Sequence, residues 1–242
     1  MAKIMAFPIP PITADKPQLQ GADSAGASCV REANHRVANN LAMVAGLVRS
    51  QKNSVAVGGG QFSAAEVSAM LGDVARRIET IGLMHRSLAD AQASGSIDLN
   101  DFIRTLCSRL VDALARAEVH LTFDLKARCS VRAEQALPVA LIVNEAVTNS
   151  LKYAHPTGVA GLLHVSCHGD SSDAVTIEVV DDGIGLPEDF DVHEDGAVGL
   201  RVIRSLCNQL GGEFELNQRP IGVQFRLCVP LSEPGPPSKS VN

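Results

Sequence analysis

Apolar residues recur every seven positions through the first third of this chain, and the rhythm stops near residue 94. Val30, Val37 and Val44 share one side of a helical projection with Ala33, Leu41 and Val48. After a break containing Gly58-Gly59-Gly60, the pattern returns in Val67, Met70, Val74, Ile78, Ile81 and Leu88. That period belongs to helices with a single apolar stripe, so residues 29–51 and a segment opening at Ser63 are predicted to form an antiparallel hairpin. Ser63 and Glu66 have the spacing of a capping box, which marks where the second helix begins. Two helices alone leave an apolar stripe exposed, so pairing with a second copy into a four-helix bundle is expected.

Beyond Ser94-Gly95-Ser96 the periodicity is mixed. Helices are predicted over 98–117, over 134–154 with Pro138 in the first turn, and over 198–210, where Gly211-Gly212 stops the last. Strands are predicted over 119–125, 162–168, 174–180, 213–216 and 223–229. Strands with helices grouped between them imply an α+β two-layer sandwich. The predicted organisation is therefore a flexible N-terminal arm over 1–27, a helical hairpin over 28–93, a sandwich domain over 97–231 and a flexible tail over 232–242.

Charge and composition exclude some function classes. A formal charge of −6, with no Trp and one Tyr, opposes both phosphate-backbone binding and base stacking, so no nucleic-acid partner is expected. The six cysteines stand singly with no CxxC pair, which predicts reduced thiols rather than a disulfide frame or zinc site. No apolar run approaches the ~18–20 residues of a membrane span, and the N-terminus has no export pattern, so a cytoplasmic, membrane-free protein is expected.

Two polar clusters carry candidate chemistry. On the first helix His35 falls away from the apolar seam, with Glu32 three positions before it and Asn39 four after, all on one face. A neutral imidazole there can attack the γ-phosphorus of ATP while a carboxylate takes or orients its other proton and an amide positions an oxygen. The same residues also make an ordinary solvated face. His120, His164 and His168 stand in strand-like runs without partners, and His155 and His193 fall in turn or loop segments. On the helix 134–154, Glu145, Asn149 and Lys152 form one polar stripe, suited to Mg²⁺ through the Asn149 amide oxygen and to phosphate through Lys152, or equally to solvent. Asp181-Asp182-Gly183-Ile184-Gly185 ends a strand, where a carboxylate can accept from the exocyclic amine of adenine and glycines admit a base closely. Gly196 and Gly199 precede a helix whose free N–H groups favour phosphate. No Gly-x-x-x-x-Gly-Lys-Ser/Thr run is present.

In this order and spacing the motifs resemble a two-component sensor histidine kinase with a GHKL-type ATPase domain, over residues 28–231. The His-Arg-x-x-Asn box at His35 is similar to the branch related to the HWE kinases. The resemblance implies dimerisation through the hairpin and His35 as phosphoacceptor. It also implies a Bergerat-type fold with Asn149 on Mg²⁺, Glu145 and Lys152 nearby, Asp181 reading adenine, and Gly183, Gly185 and Gly199 shaping the pocket under a lid at 186–197. The phosphoryl group would pass to an aspartate of a response-regulator receiver domain. The chain departs from the pattern at Arg36, where many such kinases carry an acid, at Asn144, where the HWE branch has His, and in lacking Trp. No segment before residue 28 reads as a sensor domain, so the expectation is that input comes from a separate protein or that the chain is not a sensor. The alternatives are a histidine phosphotransfer protein or response-regulator phosphatase with a degenerate ATPase-like domain, and a GHKL ATPase outside signalling.

Overall fold

The computed structural model describes residues 45, 46, 49, 63–90, 96–115, 118–126, 129–155, 159–169, 173–191 and 198–231. His35, Glu32 and Asn39, the Gly58–Gly60 break, residues 192–197 and both predicted tails lie outside the described residues. Helix α1 (Ala64–Asp90) starts where the capping box requires. The Glu66 N–H donates to Ser63 Oγ at 3.2 Å, and the Ser63 N–H donates to Glu66 Oε2 at 2.8 Å. Its predicted seam splits: Ile81 is buried beside Leu83 and Met84, whereas Val67 and Ile78 are exposed together with Leu71. The C-terminal half of α1 turns its buried face, Arg77, Thr80, Ile81 and Met84, onto the following domain. A count of apolar residues cannot see a contact face that includes an arginine and a threonine.

That domain contains β1 (Ser96–Asp98), α2 (Asn100–Leu114), β2 (Val119–Leu125), β3 (Ser130–Arg132), α3 (Ala133–Tyr153), β4 (Gly161–Gly169), β5 (Ala174–Asp181), α4 (Val198–Leu210), β6 (Glu213–Gln218) and β7 (Val223–Pro230). Five strands form one sheet in the order β2-β4-β5-β7-β6, with β2 and β4 parallel and the other neighbours antiparallel. β1 and β3 form a separate antiparallel pair, centred on Ile97 and Val131. Alternation along the strands sends Val165, Ile177, Val179, Phe225 and Leu227 into a core roofed by α2, α3 and α4. The opposite sheet face carries Thr122, His164, Glu178 and Arg226. This is the two-layer sandwich expected from the sequence.

Helix α3 is the axis of the domain: every residue from Gln135 to Thr148 is buried, because the sheet lies on one side and α1 on another. It begins at Ala133, so Pro138 lies in the second turn rather than the first, and the Glu134 carbonyl goes without that helical N–H donor. The expectation of six reduced thiols is corrected at two positions. Cys129 and Cys167 are joined by a disulfide across 38 residues, their Cα atoms 5.7 Å apart. The pairing arises from the parallel register, which aligns Cys167 with Leu125 at the end of β2, four residues before Cys129. Among the described residues, no helix is long and apolar enough to cross a membrane.

Candidate functional site

Strand parity decides which of two adjacent carboxylates enters the core. Ile177 and Val179 point into the helical layer, so Asp181 follows them and Asp182 falls on the other side. Asp181 is 6% exposed, and its carboxylate accepts three bonds. The N–H groups of Gly183 and Val223 donate to Oδ1, each at 3.1 Å, and the Ser150 hydroxyl donates to Oδ2 at 2.9 Å. A carboxylate offers about four acceptor sites, so three internal donors leave room for one donor from a ligand. Asp181 lies at a cavity of about 630 Å³ whose wall is mostly apolar, including Ala146, Val179, Leu200, Ile203, Leu216 and Phe225. A flat heteroaromatic ring bearing an amine fits those features.

The glycines allow the turn after β5 to press on the end of α3. A Cβ on Gly183 would lie 2.2 Å from the Ala154 carbonyl oxygen, which accepts the Ile184 N–H at 2.8 Å. Gly185 has φ +84°, a left-handed conformation natural only to glycine, and lines the cavity. At the other end Asn149 also lines the cavity, and among the described residues its amide makes no hydrogen bond. Gly199, in the first turn of α4, lies against it: a Cβ there would be 3.6 Å from Asn149 Oδ1 and 2.9 Å from Glu145 Oε2. An amide oxygen beside the free N–H groups of a helix start suits a hard cation accompanied by phosphate. The described residues hold no cluster of three or more His, Cys, Asp or Glu side chains that could hold a metal ion.

Glu145 and Lys152 are placed differently from Asn149, because α1 covers part of the stripe. Arg77 Nε donates to Glu145 Oε1 at 2.8 Å and its Nη2 to Oε2 at 2.7 Å, with the two side chains 4% and 6% exposed. Asn144 Nδ2 adds a third bond to Glu145 at 3.0 Å, and Thr80 Oγ1 lies 3.0 Å from Asn144 Oδ1. Lys152 Nζ donates to Asp73 at 2.5 Å, and Asp73 also pairs with Arg76. The cavity thus brings together Asn149, Asp181 and Gly185; Gly183 and Gly199 support it from behind, and Glu145 and Lys152 do not line it.

Several residues at the site carried no signal in the sequence. Ser150 gave none beyond its place next to Asn149. His164, expected to stand without a partner, has one: its Nδ1 is 2.9 Å from Thr122 Oγ1 across the β2–β4 register. His155, placed by the sequence in a turn or loop segment, has its Nε2 2.7 Å from Asp182 Oδ1. The Leu162 N–H donates to the same Asp182 oxygen at 2.7 Å. Burial pushes the Asp182 carboxyl up, but the Leu162 N–H and the His155 imidazole outweigh it and hold the group below its ordinary value.

Comparison with known proteins agrees with this geometry. The family model described as histidine kinase matches residues 32–114, and that of the histidine kinase-, DNA gyrase B- and HSP90-like ATPases matches residues 134–233. Blue-light-activated histidine kinase 2 of Erythrobacter litoralis is 28% identical over 208 residues, covering 84% of this chain and 57% of that protein. Sensor histidine kinase PdtaS of Mycobacterium tuberculosis is 27% identical over 212 residues, covering 85% of this chain and 40% of its own length. The chain therefore spans roughly half the length of these relatives. A solved histidine kinase domain from an Erythrobacter litoralis blue-light activated histidine kinase superposes with TM-score 0.63 at 26% identity, over 79% of this chain and 85% of that one. By its two segments, one matched by the histidine kinase model and the next by the ATPase model, the chain belongs to the histidine kinases.

Proposed function

We propose that the chain is an ATP-dependent protein-histidine autokinase that phosphorylates His35 and passes the phosphoryl group to an aspartate of a response-regulator receiver domain. The observation that carries the reading is Asp181: a buried carboxylate at an apolar cavity, with three acceptor sites filled and capacity left for one donor. In this reading Asp181 accepts from the adenine amine. Asn149 offers its amide oxygen to Mg²⁺, and the amides at the start of α4 near Gly199 face phosphate. Bound Mg²⁺ supplies positive charge that offsets the charge on the phosphates. Glu32 orients or takes a proton from His35, Asn39 positions an oxygen beside it, and the neutral imidazole accepts the phosphoryl group from the substrate ATP as ADP leaves.

The chain acts in this account as a homodimer, joined through its helical hairpin. The exposed apolar residues Val67, Leu71 and Ile78, on one side of α1, support that assembly. Titration of the full chain with Mg-ATP tests the pocket, and binding that weakens in Asp181→Asn supports it.

One observation favours a second reading. Glu145 and Lys152 are held by Arg77 and Asp73 and do not line the cavity. A histidine phosphotransfer protein or response-regulator phosphatase with a degenerate ATPase-like domain would tolerate that arrangement. Measurable Mg-ATP binding followed by label on His35 excludes it.

A further inference from the structure

The carboxylate at the base of the cavity is only as well placed as the strand end that bears it. Its partners come from both sides of that end. Ser150 on α3 holds Asp181 from the helical layer at 2.9 Å. Asp182, on the opposite side of the strand, is held by His155, two residues after the last residue of α3. Between them, Ala154 takes the Ile184 N–H and packs directly on Gly183. A rotation of the strand end about its own axis would swing Asp181 out of the cavity. A tie on one side resists that rotation poorly; ties on both sides block it.

We propose that His155 is a positioning residue for the nucleotide pocket: by bonding Asp182 it clasps the Asp181–Gly185 turn to the end of α3 and sets where the Asp181 carboxylate stands. The inference rests on the reading of Asp181 as the group that meets adenine. The imidazole is itself fixed in place. Its ring is packed flat on Gly161, where a Cβ would lie 2.3 Å from the ring, and the side chain is 18% exposed. The Leu162 N–H, also from the start of β4, donates to the same Asp182 oxygen, so one carboxylate joins α3, β4 and β5. A neutral imidazole with its proton on Nε2 donates this bond as an imidazolium does, so the clasp needs a donor and no charge.

The test compares wild type, His155→Ala and His155→Gln in the full chain. Direct ATP affinity is measured by calorimetry, and KM and kcat for self-labelling with Mg-ATP are measured alongside. Loss of one hydrogen bond to a charged group should weaken ATP binding and raise KM by roughly tenfold. The kcat at saturating ATP should stay within about twofold, because the phosphate end is untouched. Gln, which carries an N–H donor, should recover most of the affinity. Unchanged KM in His155→Ala, a parallel fall in kcat, or no recovery with Gln would overturn the proposal. If His155→Ala does not fold, Asp182→Ala removes the acceptor of the same clasp from the other side and must show the same split between KM and kcat. Wild-type protein that binds no ATP would instead sink the reading of Asp181, and this inference with it.

Discussion

Asp181 and Asp182 are neighbours in sequence and have different environments, because a strand alternates its side chains. Replacing Asp181 with Asn keeps the shape but puts an amide where two N–H groups and a hydroxyl already donate. ATP affinity by calorimetry should fall by about 10- to 100-fold, and an unchanged affinity would remove adenine reading from this residue. Cysteine reactivity is a second test at this scale. Burial pushes the Cys107 thiol up to about 12 and the Cys207 thiol up to about 11, the latter with help from Glu213 and Cys228. A raised thiol pKa means almost no thiolate at pH 8, so peptide-resolved alkylation there should spare both until denaturant is added. Rapid labelling of either in the native protein would contradict their placement. Asp181, Asn149 and Gly185 were legible in the sequence because each lies in a local motif. The partners of Glu145 and Lys152 were not, because they come from residues 68 and 79 positions away on another helix.

Helix α3 shows what pattern reading sees and what it misses. Helical and strand periods located Val119–Leu125 and Val198–Leu210 to the residue, and longer strands to within one or two. The three-residue strands β1 and β3 are too short to show a period, and nothing local marks the disulfide between Cys129 and Cys167. The polar stripe of α3 has the same pattern whether water or α1 covers it. Its central contact gives a stability prediction. Arg77→Met leaves the Glu145 carboxylate buried without its cation and should cost about 3–5 kcal/mol in urea denaturation at pH 7. Removing both charges, with Arg77→Met and Glu145→Met together, should recover most of that loss. A single-variant cost under about 1 kcal/mol would mean that α1 does not rest on α3 as described.

At the scale of the whole molecule, α1 serves two surfaces. Its buried face meets the ATPase domain through Arg77, Thr80 and Met84, and Val67, Leu71 and Ile78 stay exposed along it. Leu71 is 64% exposed, so a charge there should leave the fold intact. Sedimentation should find a dimer for wild type and a monomer for Leu71→Glu, because a bundle seam cannot hold an unpaired carboxylate. Identical sedimentation of the two proteins would remove α1 from the dimer contact. The central claim is that this chain uses the Asp181 cavity to phosphorylate His35. The most direct measurement is incubation of wild type and His35→Ala with γ-labelled ATP and Mg²⁺. The account predicts acid-labile, alkali-stable label on wild type alone. No label on wild type, or equal label on His35→Ala, would contradict it.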